Sequence, residues 1–330
     1  MSDYDVLAIG NAIVDIIAQC DEAFLVENRI IKGAMNLIDT ERAELLYARM
    51  GPAIEASGGS AGNTAAGVAS FGGRAAFFGK VSKDELGAIY AHDIRAQGVA
   101  FDTAPLDGPP PTARSMIFVT PDGERSMNTY LGACVELGPE DVEATKARGA
   151  KVIYFEGYLW DPPRAKEAIR LAAGHAHAAG REVSMTLSDP FCVDRYRDEF
   201  LDLMRSGTVD IVFANDHEMK SLYQTASFET ALEALRRDCR MAAVTRSEKG
   251  SVVVRGDDTF IVEAMPVATI VDTTGAGDLY AAGFLFGYTA GYDLQRCGDL
   301  GSLAAGLVIQ QIGPRPRQNL RDEAAKAGLL

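Results

Sequence analysis

The sequence predicts an α/β protein with a central, mostly parallel wound sheet, and three observations carry that prediction. Apolar runs of strand length alternate with helix-length amphipathic stretches along most of the chain, the pattern of βαβ units. The alternation breaks in two places, residues 13–38 and 99–131, where short strand-like runs and a proline-rich stretch replace it. Polar and glycine-rich segments follow several predicted strands, at the end of an α/β sheet where ligands bind.

In order, residues 4–9 read as a buried strand, 43–50 as a helix and 65–71 as a second helix of small residues. A strand at 74–79 and a helix at 84–97 continue the pattern. Residues 107–111 are then proline-rich, and 115–120 and 126–131 flank Pro121-Asp122-Gly123-Glu124 as strand, turn and strand. From residue 151 onward, strands at 152–155, 182–187, 210–213 and 241–245 alternate with helices at 164–179, 193–204 and 228–239. A turn at 245–250 and a strand at 252–254 follow, then helices at 279–292 and 302–311, the last ending at Gly313-Pro314. This pattern assigns 1–12, 39–98 and 132–330 to an α/β core, and 13–38 with 99–131 to a small β lid.

Composition narrows the partners. A formal net charge of −14 argues against nucleic acid or an anionic membrane surface, since both are held by dense Lys/Arg patches. No run reaches the ~18 uninterrupted apolar residues of a membrane span. Residues 1–7 carry acids where a signal peptide would be basic, so the expected compartment is the cytoplasm. Five scattered cysteines without a Cys-x-x-Cys pair read as free thiols. His175 and His177, two apart on a predicted helix, face different ways and make no metal site. Monomer and homodimer both stay open, because a lid sheet can cover its own site or pair with a second copy.

The most telling segment is Asp272-Thr273-Thr274-Gly275-Ala276-Gly277-Asp278, which feeds an uncharged stretch predicted as a buried helix. Small residues let the backbone approach a ligand, and the first turn of a helix leaves amides that attract anions. Asp278 beside such a turn suits a base that takes the proton of a hydroxyl attacking a phosphoryl group. The same segment also reads as a tight loop in which Asp278 only caps the helix.

Four further groups stand at predicted loop positions. Asn11 and Asp15 follow the first strand and suit the hydroxyls of a polyol or ribose, or else cap a turn. Gly58 and Gly59, with Asn63, open the small-residue helix; the spacing is not the dinucleotide-binding Gly-x-Gly-x-x-Gly, which argues against an oxidoreductase. Their backbone amides are read beside a bound hydroxyl, or else as part of a close helix packing. Phe191, with Tyr158, is placed either to stack on a base or to fill the core. Asn215 and Glu218, three apart at a helix start, suit Mg²⁺ through water or a capping box. Arg125, beside the lid turn, reaches a phosphate or stays a solvated charge.

In this order these segments resemble the ribokinase-type (PfkB) family of carbohydrate and nucleoside kinases, and the likeness covers nearly the whole chain. The resemblance implies a ribokinase-like three-layer α/β/α fold, with a small β-sheet lid over a core that binds nucleotide and substrate. It implies Asp278 as general base, with Gly275, Ala276 and Gly277 as anion hole and Arg125 assisting the transfer. ATP would lie against Asn215, Glu218, Thr245, Ser247, Gly250 and Gly277, with Mg²⁺ at Asn215 and Glu218. Asp272, Thr274 and Gly313 would hold a monovalent cation such as K⁺. The acceptor would meet Asn11, Asp15, Gly58, Gly59, Asn63, Phe191 and Tyr158. Gly58-Gly59-Ser60 with Asn63, Arg125-Ser126 and Pro190-Phe191 resemble the branch that phosphorylates adenosine at the 5′-hydroxyl. Thr274 and Ser247 depart from that branch, so a sugar acceptor (ribose, fructose or a keto-deoxy sugar acid) is the alternative. A non-catalytic nucleotide or sugar sensor is the alternative of a different class.

Overall fold

The structure, a computed structural model, describes residues 3–330. Met1 and Ser2, which open the predicted core segment 1–12, lie outside the described residues. The first strands are β1 (Tyr4–Ile9), β2 (Ile13–Gln19), β3 (Met35–Leu37), β4 (Ala53–Ser57) and β5 (Ala75–Phe78). They are followed by β6 (Val99–Ala100), β7 (Ala113–Val119), β8 (Arg125–Tyr130), β9 (Ala150–Glu156) and β10 (Glu182–Thr186). The last are β11 (Ile211–Asn215), β12 (Met241–Thr245), β13 (Ser251–Arg255) and β14 (Asp258–Val262).

Nine strands form the larger sheet in the order β14-β13-β12-β11-β10-β9-β1-β5-β6. All pairs from β12 to β6 are parallel, and β13 and β14 add an antiparallel edge. The central strand shows why both faces must be covered. Val6 and Ala8 join the apolar cluster on one face, with Val68, Leu279 and Phe284. Leu7 and Ile9 join the cluster on the other, with Ile153, Ile169 and Val193. A strand apolar at every position can only lie between two helical layers. The result is the three-layer α/β/α arrangement that the alternation of strand and helix predicts.

The smaller sheet has the order β3-β8-β7-β2-β4. Its β7–β8 hairpin is antiparallel about the predicted turn. Two strands lie in the other sheet from the one the sequence predicts. β4 pairs antiparallel with β2, although 39–98 was assigned wholly to the core, and β6 pairs with β5 in the larger sheet, although 99–131 was assigned wholly to the lid. The reason is the same in both cases. Most of β4 is exposed and β6 is only two residues long, so neither carries a hydrophobic period that declares its sheet.

Helix boundaries moved where capping residues set them. The small-residue helix runs Ser60–Ser70, beginning straight after Gly59. The final long helix runs Leu294–Val308 because Asp293 accepts the Arg296 amide and starts it early. The segment predicted at 279–292 is the helix Ala276–Ala290, which packs against helix Ser60–Ser70. That contact is close: a Cβ on Gly67 would fall 2.5 Å from the Ala282 Cβ. It joins the two helix N-termini that build the site. No helix among the described residues is long and apolar enough to cross a membrane.

Candidate active site

Gly275 caps helix Ala276–Ala290 with φ +79°, and a Cβ there would fall 2.7 Å from Pro314, so glycine alone fits the turn. Among the described residues, no backbone carbonyl accepts from the amides of Gly275, Gly277 or Asp278. The Ala276 N–H, by contrast, makes a long contact of 3.3 Å with the Thr273 carbonyl. Of the three amides predicted to hold an anion, Gly275 and Gly277 are free and Ala276 is partly engaged by its own loop.

Asp278 stands in the first turn of the same helix. Its Oδ1 accepts from Ser60 Oγ at 2.6 Å and its Oδ2 from Asn63 Nδ2 at 2.9 Å, both on helix Ser60–Ser70. Burial raises its pKa, while those two hydrogen bonds and the Arg315 charge hold it down. A carboxylate fixed in this way still has lone pairs for an incoming hydroxyl. Asn63, expected to meet the acceptor, gives one of its two Nδ2 hydrogens to the base.

Sequence reasoning misses Glu156 at the end of β9. Its Oε1 accepts from Asn11 N at 2.9 Å and Asn11 Nδ2 at 2.6 Å, and its Oε2 from Ala61 N at 2.7 Å. It therefore ties the end of β1 to the start of the helix that carries Ser60 and Asn63. Burial pushes its pKa up to about 7. The available signal was an acid closing the apolar run Val152-Ile153-Tyr154-Phe155. Asn11 keeps its Oδ1 and the second hydrogen of Nδ2 for the hydroxyl contact expected of it.

Asp15 on β2 is 6% exposed. Burial pushes its pKa up to about 7; the charges of Arg315 and Arg125 oppose the shift, and those of Asp278 and Asp272 add to it. No donor hydrogen bond from the protein offsets the burial. A Cβ on Gly58 would fall 2.3 Å from its Oδ2, so glycine there makes room for the carboxylate. The amide of Gly58 is spent on the Ile13 carbonyl, at 2.8 Å, and so does not serve a bound hydroxyl as expected. Gly59 has φ +83°, and a Cβ on it would fall 2.1 Å from the Asn11 carbonyl oxygen.

Register aligns the lid with this cluster. Asp15 pairs with Ser115, Ser115 with Thr129 and Thr129 with Leu37, so the four stand in one rank on one face of the smaller sheet. Thr129 and Leu37, with Ile38, Leu131 and Val135, line a cavity of about 210 Å³ that sequence reasoning does not find. Arg125 lies on the same face by its spacing from Thr129. It forms an ion pair with Asp272, the two side chains being 9% and 3% exposed.

The predicted cation ligands do meet, but differently. Asp272 Oδ1 accepts from Thr274 N at 3.0 Å and its Oδ2 from Gly313 N at 2.8 Å and from Arg125. Both oxygens of the Asp272 carboxylate are thus engaged, and a monovalent cation at this loop would draw on the main-chain carbonyls near Gly313 expected beside it. Among the described residues, no group of three or more His, Cys, Asp or Glu is arranged to hold a metal.

Asn215 and Glu218 form a reciprocal capping box: Glu218 N donates to Asn215 Oδ1 and Asn215 N to Glu218 Oε2, each at 2.9 Å. Burial pushes Glu218 up to about 7, with Asp189 and Asp278 adding to the shift. Thr245 is the register partner of Asn215 and so lies beside it. Ser247 (φ +52°) and Gly250 belong to the tight turn after β12. A Cβ on Gly250 would fall 1.9 Å from the Val262 carbonyl, which gives that glycine a packing reason of its own. Tyr158 hydrogen-bonds the Ser188 carbonyl at 3.3 Å and feels the charges of Glu218 and Asp278. Phe191 is 77% exposed at the start of helix Pro190–Arg205, so it fills no core.

Sequence reasoning also misses Arg315. Its Nε donates to Asn63 Oδ1 at 3.1 Å, its Nη2 to the Gly58 carbonyl at 3.2 Å, and its Nη1 to Ser57 Oγ.

Free amides at a helix start, an oriented carboxylate beside them and a lid bearing an arginine define the class of small-molecule kinases that phosphorylate an alcohol. Comparison with known proteins gives the family. A profile described as pfkB family carbohydrate kinase matches residues 49–319, and the chain belongs to that family. The crystal structure of adenosine kinase from Sinorhizobium meliloti is 72% identical with a TM-score of 0.94, covering 98% of this chain and 99% of that one. A probable sugar kinase from Rhizobium etli CFN 42 is 68% identical with a TM-score of 0.96, over 100% of both chains. Adenosine kinase of Saccharomyces cerevisiae is 27% identical, covering 93% of this chain and 95% of its own.

Proposed function

We propose that this protein transfers the γ-phosphoryl group of ATP to the 5′-hydroxyl of adenosine, giving AMP and ADP. The observation that carries the reading is Asp278, whose carboxylate is fixed by Ser60 and Asn63 next to amides that no carbonyl occupies. Asp278 takes the hydroxyl proton as the oxygen attacks. The Gly275 and Gly277 amides receive the transferring phosphoryl group, in a place where each such donor contributes about 2.7–4 kcal/mol to transition-state stabilisation. Asp15, buried without a donor, takes the ribose hydroxyls; a carboxylate in that state needs them. The apolar cavity beside Thr129 and Leu37 takes the base, and the likeness to the Sinorhizobium meliloti adenosine kinase supports that choice.

Mg²⁺ fits Glu218 through water, since a carboxylate with two hydrogen bonds keeps acceptor capacity and the site is shielded. When bound, the ion neutralises phosphate charge. The sugar-acceptor reading shares the base and the anion hole, and the likeness to the Rhizobium etli chain supports it. ADP release measured with ATP across adenosine, other nucleosides, ribose and fructose separates the two. Adenosine turning over fastest is expected; turnover with a sugar alone transfers the reading to the sugar kinases, and none with any acceptor favours the sensor.

A further inference from the structure

We propose that Arg315 is a positioning residue that fixes the orientation of the Asn63 amide and so aims the general base. The inference rests on the kinase reading and deepens it. An amide side chain has two ways round, and what meets its oxygen decides between them. Arg315 Nε donates to Asn63 Oδ1 at 3.1 Å, which leaves Nδ2 as the end that faces Asp278, where it donates to Oδ2 at 2.9 Å. The turned amide would point an oxygen at the carboxylate, replacing a hydrogen bond with repulsion.

The rest of the guanidinium holds the neighbouring turn. Nη1 meets Ser57 Oγ and, at 3.1 Å, Gln97 Oε1, while Nη2 meets the Gly58 carbonyl at 3.2 Å. One planar fork thus locks the end of β4, the Gly58 turn and Asn63 in a fixed relation, which a lysine's single ammonium does not reproduce. Pro314 and Pro316 flank Arg315 and restrict the backbone that delivers it.

Arg315 also acts by charge. Ser60 and Asn63 hydrogen-bond Asp278 and Arg315 acts on it by charge, while the groups that feel the charge of Asp278 include Asp15, Glu156, Glu218, Tyr154 and Tyr158. Arg315 is joined to Asp278 through a shared hydrogen-bond partner, Asn63. Its charge lowers the affinity of Asp278 for a proton, adding to the hydrogen bonds from Ser60 and Asn63. Its two roles, orientation and charge, respond differently to substitution.

The test is a double-mutant cycle read as kcat, KM and the pH dependence of kcat/KM for adenosine. The variants are Arg315→Lys, Arg315→Met, Asn63→Ala and Arg315→Lys with Asn63→Ala, each checked for folding by thermal melting. Arg315→Lys keeps the charge and loses the fork, so kcat falls by up to about a hundredfold, the scale of a misplaced catalytic group, while the acidic limb stays in place. Arg315→Met, where it folds, also moves that limb to higher pH. In the Asn63→Ala background Arg315→Lys costs little further kcat, because its route to the base is gone. Independent, multiplying losses in the cycle overturn the proposal, as does unchanged kcat in a folded Arg315→Lys. A wild-type protein that phosphorylates nothing rejects the kinase reading itself, a separate outcome.

Discussion

Arg125 on the lid and Asp272 on the loop before the anion-binding turn form a buried ion pair, and Asp272 also holds the amides of Thr274 and Gly313. One carboxylate therefore ties the lid to both sides of the loop that presents Gly275. The tie also leaves the Arg125 Nη1 buried without a hydrogen-bond partner. The transfer role proposed for Arg125 would use that free donor on a phosphate oxygen.

Arg125→Ala removes the tie and that donor together. We expect kcat to fall by roughly a hundred- to a thousandfold, the scale of losing one donor to developing charge, and the lid to open. Steady-state kinetics reads the first, and faster cleavage of the 120–124 turn in limited proteolysis reads the second. Equal proteolysis and near-normal turnover would leave the pair as packing alone.

Asp278→Asn keeps the shape of the side chain and can still meet Ser60 and Asn63 after a flip of its amide. It cannot accept a proton. Turnover should fall by about two to four orders of magnitude, the usual worth of a general base, with adenosine binding by calorimetry retained. Near-normal turnover would refute the base assignment.

Glu218→Gln tests whether the capping box also serves Mg²⁺. The substitution places a donor against one of the two Asn215 donors, so melting temperature should fall whichever role is right. If the carboxylate holds the ion through water, the Mg²⁺ concentration for half-maximal activity should also rise by about tenfold or more. A lower melting temperature with an unchanged Mg²⁺ titration would restrict Glu218 to capping.

The architecture was legible because strands such as Val6-Leu7-Ala8-Ile9 are apolar at every position and the stretches between them carry helical period. The 272–278 segment was legible as a loop entering a helix because small residues and an acid stand at the start of an uncharged stretch, while its reading as an anion site stood beside a plain capping one. What could not be read was pairing across the fold. Arg315 and Asn63 are 252 residues apart, and Glu156 and Asn11 are 145 apart, so no local pattern joins them. Asn63 and Asn215 were recognised as site residues, yet part of their hydrogen-bonding capacity goes to Asp278, Arg315 and Glu218, which only coordinates reveal. For Phe191 the coordinates remove one of the two readings: at 77% exposed the ring fills no core, and an aromatic after a strand gives no sign of the separate apolar cavity at Leu37, Thr129 and Leu131.

Stability should depend on pH through the buried acids. Burial holds Asp15, Glu156 and Glu218 each at about 7, above the ordinary carboxylate range. Between about pH 4 and 7 the folded state therefore binds more protons than the unfolded chain, and stability falls as pH rises through that window. Above about pH 7 both states are ionised and the dependence on these groups ends. Glu156→Gln removes one of the three. The difference in unfolding free energy between pH 5 and pH 8 should shrink by about 2–3 kcal/mol, from the size of that one shift. Urea unfolding at the two pH values measures it, and an undiminished difference would mean that Glu156 titrates normally.

Whether the base occupies the cavity beside the lid can be tested at Leu131. Leu131 lines it along with Leu37 and Thr129, and Thr129 shares a rank with Asp15 through Ser115, so a ribose at Asp15 has the cavity within the same lid face. An apolar wall there serves a flat base and has nothing to offer a free sugar, whose hydroxyls it would desolvate. Leu131→Ala should therefore raise KM for adenosine by roughly tenfold or more, the scale of lost apolar contact in a pocket, and leave KM for ATP near its wild-type value. The same variant should not change whatever slow turnover the protein has with ribose. Parallel losses for adenosine and ribose would move the base elsewhere, and the exposed ring of Phe191 would then be the next side chain to remove.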